Sequence, residues 1–218
     1  EAFAVAFGRV SERFPERSVY NWLCDVEWRS SPGEARSCGG IFLIRTNAFA
    51  GVEGFNPSMM AGEEPELCCR LRQSGQRLYA LPDEMALHDA DIRRFSQWWR
   101  RTMRGGLAYA HGYYLHRGEE APHHLRQNQR ILLWALALPL AALVGSLLAG
   151  PPALLILLLY PLQLARLYLG ALRLFHDRAK AFYYAAFSIL EKFPQFAGQL
   201  LFIRRRLLAE RPSLIEYK

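Results

Sequence analysis

The chain has 218 residues, is 51% hydrophobic and 13% aromatic, and carries a formal net charge of +7 with a pI near 9.5. Its arginines cluster beside apolar runs instead of forming a separate basic face with base-stacking aromatics, which argues against nucleic acid and for a membrane surface as partner. Cys24, Cys38, Cys68 and Cys69 lack Cys-x-x-Cys spacing, so they read as reduced packing residues of a cytoplasmic domain, not as a zinc site.

Residues 3–7 read as a strand already inside a domain, and residues 20–28, which include Asp25 and Glu27, have helical spacing. Within residues 38–45 the successive apolar side chains Ile41, Phe42, Leu43 and Ile44 predict a strand covered on both faces. Further on, Gly62, Glu63 and Glu64 lead into Pro65, whose fixed φ suits the first position of a helix; the helix is predicted over residues 65–74, with Gly75 ending it. The N-terminus of such a helix presents unpaired N–H groups and a partial positive charge, so ionised carboxylates at Glu63 and Glu64 are tolerated there. A short strand follows over residues 77–81, then Pro82 and His88. Leu67 and Leu71 are expected to face the sheet and aim both acids into a cleft, with Phe55 and Met59 or Met60 as its floor.

Residues 93–104 predict an amphipathic interfacial helix with Trp98 and Trp99 at headgroup level. A polar break over residues 117–127, with Gly118, Glu119, Glu120 and Pro122, divides the chain into a domain over residues 1–122 and a membrane region over residues 123–218. Residues 131–149 carry no charge and are long enough to cross a hydrocarbon core as a helix. Residues 153–172 make a second crossing in which Arg166 snorkels to the interface. Pro139 and Pro161 are expected to kink these helices without abolishing them. His123, His124, Arg126 and Arg130 precede the first crossing, and Arg166, Arg173, Arg178 and Lys180 follow the second, while the turn between them has no basic residue. That asymmetry places both ends on the cytoplasmic side of a multi-pass inner-membrane protein. Residues 179–203, interrupted by Glu191, Lys192 and Pro194, read as an amphipathic or re-entrant segment.

Residues 38–88 together resemble the acceptor-side half of family 2 glycosyltransferases. The likeness is carried by Gly39, Gly40 and Arg45; by Ala48, Phe49, Val52, Gly54 and Phe55; by Gly62 with Glu63 and Glu64; by Leu67, Arg70 and Leu71; and by Gly75, Pro82 and His88. Gln97, Trp98, Trp99, Arg100 and Arg101 resemble the Gln-x-x-Arg-Trp element of processive members, with Arg in place of the final Trp. The resemblance implies an α/β fold, a partial GT-A (nucleotide-diphospho-sugar transferase-like) sheet-and-helix domain, followed by an α-helical transmembrane region. It also implies an inverting enzyme that moves a sugar from a nucleotide-sugar donor to a cell-envelope glycan or lipid-linked acceptor at the cytoplasmic membrane face. Glu64 then corresponds to the general base, where the family more often has Asp, and Glu63 is its alternate. Gly39, Gly40, Arg70, Gln97 and Arg100 correspond to substrate-binding positions. His88 corresponds to a ligand of a divalent metal, Mg or Mn. No Asp-x-Asp motif occurs in the sequence, so the donor-binding half and most metal ligands are expected to be missing from this chain, and the isolated chain to be inactive. The competing expectation is a catalytically inactive membrane scaffold or interaction module derived from such an enzyme.

Overall fold

The structure is a computed structural model, and it describes residues 3–119, 123–208 and 216. It is a mixed α/β fold with one small sheet and mostly helical content. The chain divides into two compact units, Glu1–Trp98 and Trp99–Glu210. The polar break at residues 117–127 lies within the second unit, and its Glu120 and Pro122 fall outside the described residues.

In the first unit, strands β1 (Val5–Glu12) and β4 (Leu78–His88) pair in parallel at the centre of a four-stranded sheet. Strands β2 (Gly33–Ala35) and β3 (Leu43–Ile44) flank them as antiparallel edges, giving the order β2-β4-β1-β3. The strand expected over residues 77–81 continues to His88, but its register slips: Phe7 pairs with Ala80, and Arg9 next pairs with Glu84. Pro82 lies in the skipped stretch, where its missing N–H costs the ladder nothing. The bulge brings chain so close to β1 that a Cβ on Gly8 would stand 2.6 Å from the Asp83 carbonyl and 2.7 Å from the Met85 Cβ. Only glycine fits there.

The expectation for residues 38–45 needs correction. Only Leu43 and Ile44 join the sheet, and Leu43 is 67% exposed, so this is a short edge strand and not one covered on both faces. Arg45 N–H donates to the Ala4 carbonyl at 2.9 Å and its Nε to the Phe3 carbonyl at 2.8 Å, which holds the run beside β1. Four apolar residues in a row signal burial only where neighbours lie on both sides; here β3 has one.

Helix α1 (Val19–Glu27) begins at Ser18, whose Oγ accepts the Asn21 N–H at 3.0 Å and so satisfies an otherwise orphaned donor. After the short α2 (Thr46–Gly51), helix α3 (Glu63–Gln73) packs Leu67 and Leu71, both fully buried, among Val5, Phe7, Leu78 and Ala80 of the sheet. That matches the predicted facing. Truncating either leucine to alanine removes on the order of 2–5 kcal/mol. The helix starts two residues before Pro65, with Gly62 at φ +77 as its cap and Glu66 N–H bonding to the Gly62 carbonyl at 3.1 Å. Pro65 is thus still inside the first turn, where no intrahelical donor is required.

The second unit is helical. It holds most of α4 (Phe95–His116), then α5 (Leu125–Leu132), α6 (Leu138–Ala149), α7 (Leu159–Phe175), α8 (Arg178–Leu190) and α9 (Lys192–Leu207). A π-helical turn, Leu133–Ala137, joins α5 to α6, and Leu138 N–H there reaches the Leu133 carbonyl. This absorbs Pro139, whose ring would otherwise clash one turn back. Pro161 falls in the first turn of α7, directly after a 3-10 stretch, Pro151–Leu158. Gly150, at φ +88 and ψ −179, makes the turn between the two arms in a conformation essentially confined to glycine.

Leu125–Ala149 and Pro151–Phe175 are both long and apolar enough to cross a membrane, with mean hydropathies of 2.4 and 1.6. Most of their leucines are exposed, Leu148 at 83%, while Leu138 is buried. Between Arg130 and Arg166 no residue is charged. Residues 131–149 reach about 28 Å at 1.5 Å per residue. The uncharged second arm is shorter in sequence, yet its 3-10 stretch rises about 2 Å per residue, so residues 151–165 reach about 26 Å. Both match a hydrocarbon core of about 30 Å.

Residues 179–203 resolve into α8 and α9, which meet at Glu191. At 13 and 16 residues neither is long enough to span alone. Asp177 caps α8, its Oδ1 accepting from the N–H groups of Ala179 at 2.8 Å and Lys180 at 3.0 Å. Helix α8 lies along α7, with Ala171, Ala181 and Ala185 buried between them. Helix α9 meets α4 backbone to backbone at Gly106 and Gly198, and Gln199 Nε2 donates to Asn128 Oδ1 of α5 at 2.6 Å.

Candidate functional site: the acidic start of helix α3

Glu63 and Glu64 occupy the first two positions of α3, so both carboxylates sit at its electropositive end. The chain entering β3 crosses in front of them. A Cβ built on Gly40 would stand 3.1 Å from Glu64 Oε1, so that carboxylate occupies the side of Gly40 where a side chain would point. Any side chain at position 40 would displace it. Gly39 and Gly40 are exposed, while Glu63 and Glu64 are half-buried. Glu63 Oε2 is buried and accepts no hydrogen bond, leaving an oxygen of the pair with lone pairs uncommitted.

One turn beyond Glu64 on the same face, Cys68 meets Cys38, with the sulfurs 3.4 Å apart. Both cysteines are buried and both are free thiols. The Cys38 thiol is pushed well above its ordinary range by its hydrogen bond with Cys68, by burial and by the charges of Cys68 and Glu64. Cys68 is lowered, chiefly because it receives that bond, and Arg72 nearby adds to the effect. Cys38 and Cys68 are thus in contact with each other and not separate packing residues; the four-residue step from Glu64 to Cys68 puts thiol and acid on one helix face.

The other expected positions have different settings. Arg70 binds Glu66 through Nε and Nη2 at 2.8–3.1 Å, donates to the Gly54 carbonyl at 2.6 Å and also bonds the Val52 carbonyl. Its guanidinium ties the loop after α2 to α3. Gln97 caps its own helix: Oε1 accepts from the Arg93 and Arg94 N–H groups, each at 2.9 Å. Arg100 is exposed on α4. Phe55 is 43% exposed and packs edge-on against Phe42 and Phe49, with Met59 and Met60 half-buried.

His88 ends β4 opposite Glu12, at the far end of the ladder from the Val5–Leu78 pair, and its ring packs on Trp28 with centroids 4.9 Å apart. Its Nδ1 is buried without a hydrogen bond. A Mg or Mn ion here would need carboxylate oxygens. Glu12 spends both oxygens on Phe14 N–H, Asn21 and Ala90 N–H; Asp25 is paired with Arg29 at 2.8 Å and Arg9 at 3.8 Å; Asp89 accepts from Asp91 N–H. The donor set around His88 does not fit such a metal, because one imidazole remains and the hard ligands are committed.

No protein-family model, curated protein or solved structure matches this chain. The likeness to family 2 glycosyltransferases rests on the motifs alone.

Proposed function

We propose that this chain is the acceptor-side part of a membrane-anchored, inverting glycosyltransferase of the family 2 type. The observation that carries the reading is the pair Glu64 and Gly40: a half-buried carboxylate at the positive end of a helix, facing an exposed glycine whose missing side chain gives it its place. In this role Glu64 takes the proton of an acceptor hydroxyl. The freed oxygen attacks the anomeric carbon of a nucleotide-sugar, and the nucleoside diphosphate departs from the opposite face. Glu63, with its uncommitted oxygen, is the alternate base. Arg100 and Gln97 are the proposed diphosphate-side contacts. Arg70 is assigned a positioning role through Glu66 and the Val52 and Gly54 carbonyls.

The acceptor is a cell-envelope glycan or a lipid-linked sugar, and the apolar hairpin holds the protein at the inner membrane. Basic residues on both flanks of that hairpin, and none at Gly150, support a cytoplasmic orientation, beside the nucleotide-sugar pool.

The test is Glu64→Gln in membranes carrying the protein in its native context, assayed for sugar transfer and for nucleotide-sugar binding. Turnover falls by about two orders of magnitude or more with binding retained. Unchanged turnover removes Glu64 as the base; no turnover in wild type under any donor leaves the inactive scaffold.

A further inference from the structure

The two thiols in contact beneath Glu64 form a chemical pair that sugar transfer does not use. Cys68 lies in the middle of α3, fully buried against the sheet core. Cys38 lies outside any strand or helix, immediately before the exposed Gly39 and Gly40. The sulfurs are 3.4 Å apart, and a disulfide needs about 2.0 Å. The mismatch is small, and only one partner is on a rigid element. Closure would draw Cys38 toward α3 and carry Gly40 with it, toward the Glu64 carboxylate that a Cβ on Gly40 would meet at 3.1 Å.

We propose that Cys38 and Cys68 are a reversible oxidation site whose disulfide shifts the Gly40 turn relative to Glu64. The oxidant is hydrogen peroxide. The Cys68 sulfur attacks one peroxide oxygen, the O–O bond breaks, and the released hydroxide takes the Cys68 thiol proton and leaves as water, giving a sulfenic acid. Cys38 sulfur then attacks the Cys68 sulfur, its proton joining the departing hydroxide as a second water. Two thiols and one peroxide give one disulfide and two waters, and a dithiol reductant reverses it. Cys69 is not a competitor on geometry: its sulfur accepts from Gln73 Nε2 at 3.5 Å, one turn further along the helix. Cys24 is on α1.

Bond formation stands independently of the assignment of Glu64; its effect on turnover rests on that assignment. The full chain in nonionic detergent is exposed to hydrogen peroxide, quenched with iodoacetamide and measured by intact mass, peptide mapping and hydrogen exchange. The expected result is a loss of two hydrogens per chain, a cross-linked peptide containing Cys38 and Cys68, slowed exchange at Gly39 and Gly40, and full reversal by dithiothreitol. Cys38→Ser and Cys68→Ala each abolish the cross-link. Oxygen adducts without a cross-link, a bond to Cys24 or Cys69, or an unchanged thiol count overturns the proposal; the wild-type result decides even if a variant fails to fold. With turnover measured in parallel in membranes carrying the protein in its native context, oxidised protein at full activity beside an inactive Glu64→Gln rejects the shift and keeps the base. A formed bond beside an active Glu64→Gln rejects the base and keeps the oxidation site.

Discussion

Asn21 Nδ2 donates to Glu12 Oε1 at 3.0 Å, and these two buried side chains fasten three separate segments to one another. Asn21 also donates to the Phe14 carbonyl and accepts the Ile92 N–H at 2.9 Å, while Glu12 Oε2 accepts the Ala90 N–H at 2.9 Å. The end of β1, the start of α1 and the chain after β4 are thereby joined through buried polar groups. Asn21→Ala strips Ile92 N–H of its acceptor and Glu12 of a donor. It is expected to cost about 2–3 kcal/mol, since a buried group left unpaired loses its full desolvation penalty. Denaturant titration of wild type and variant measures this, and a change below 0.5 kcal/mol, about the level of a surface substitution, would refute the clamp.

Arg70 gives a second test, which separates positioning from substrate binding. Glu66 is 1% exposed and its carboxylate pairs with the Arg70 guanidinium at 2.8 Å. Arg70→Ala removes the guanidinium from a buried carboxylate and from two loop carbonyls, so a loss of about 3–5 kcal/mol is expected. Pairing it with Glu66→Leu should restore part of that loss. An Arg70→Ala variant that melts like wild type but binds donor poorly would mean the residue serves substrate instead.

How much of this was legible beforehand depends on whether the signal was local. The start of α3, the facing of Leu67 and Leu71 and the two apolar arms follow from glycine and proline chemistry, period and length, all contained in short windows. The polar clamp was not legible, because Glu12, Asn21 and Ile92 are brought together only by pairing across the sheet. Likewise Ile41, Phe42, Leu43 and Ile44 look like a central strand until the topology places them at an edge. At the candidate site, Glu63 and Glu64 could be singled out from their helix-start context, whereas the Cys38–Cys68 contact needed a fold that returns residue 38 to α3. His88 shows the opposite failure: a motif position was visible, but its neighbours' carboxylates are already committed.

Helices α4 and α9 offer a test of packing in the second unit. A Cβ at Gly198 would lie 2.0 Å from the Met103 carbonyl and 2.7 Å from the Leu107 N, and one at Gly106 would lie 2.0 Å from the Gln195 carbonyl. These are backbone atoms, so no rotamer change relieves the clash and the helices must part. Gly198→Ala is expected to cost about 3 kcal/mol, the upper range for overpacking. Gly170→Ala is the control: nothing lies within 4 Å of its Cβ position on α7, and the better helix former should be neutral or gain up to about 1 kcal/mol. Thermal melting in detergent distinguishes the pair, and equal melting points would show that α4 and α9 are not in backbone contact.

His124 predicts how the second unit responds to acid. Its ring packs on Tyr109 and His123, with centroids 4.8 and 3.7 Å away, and burial, followed by the neighbouring His116, pulls its pKa from 6.5 to about 4. The folded state therefore holds His124 neutral over a range where the unfolded chain has already bound a proton. A base with a lowered folded pKa stabilises fully above the unfolded value and loses that contribution as pH falls toward the folded one. Stability should be flat above pH 6.5 as far as His124 is concerned, then decline between pH 6.5 and about 4, by about 3 kcal/mol in all at 1.36 kcal/mol per unit. His124 sits at φ 58 as the cap of α5, so His124→Asn is the suitable variant: asparagine accepts the left-handed region and cannot charge. Melting curves from pH 4 to 8 should lose the acid-side slope in His124→Asn relative to wild type. Parallel curves would mean that the imidazole is solvated in the folded protein and that its neighbours do not set its charge.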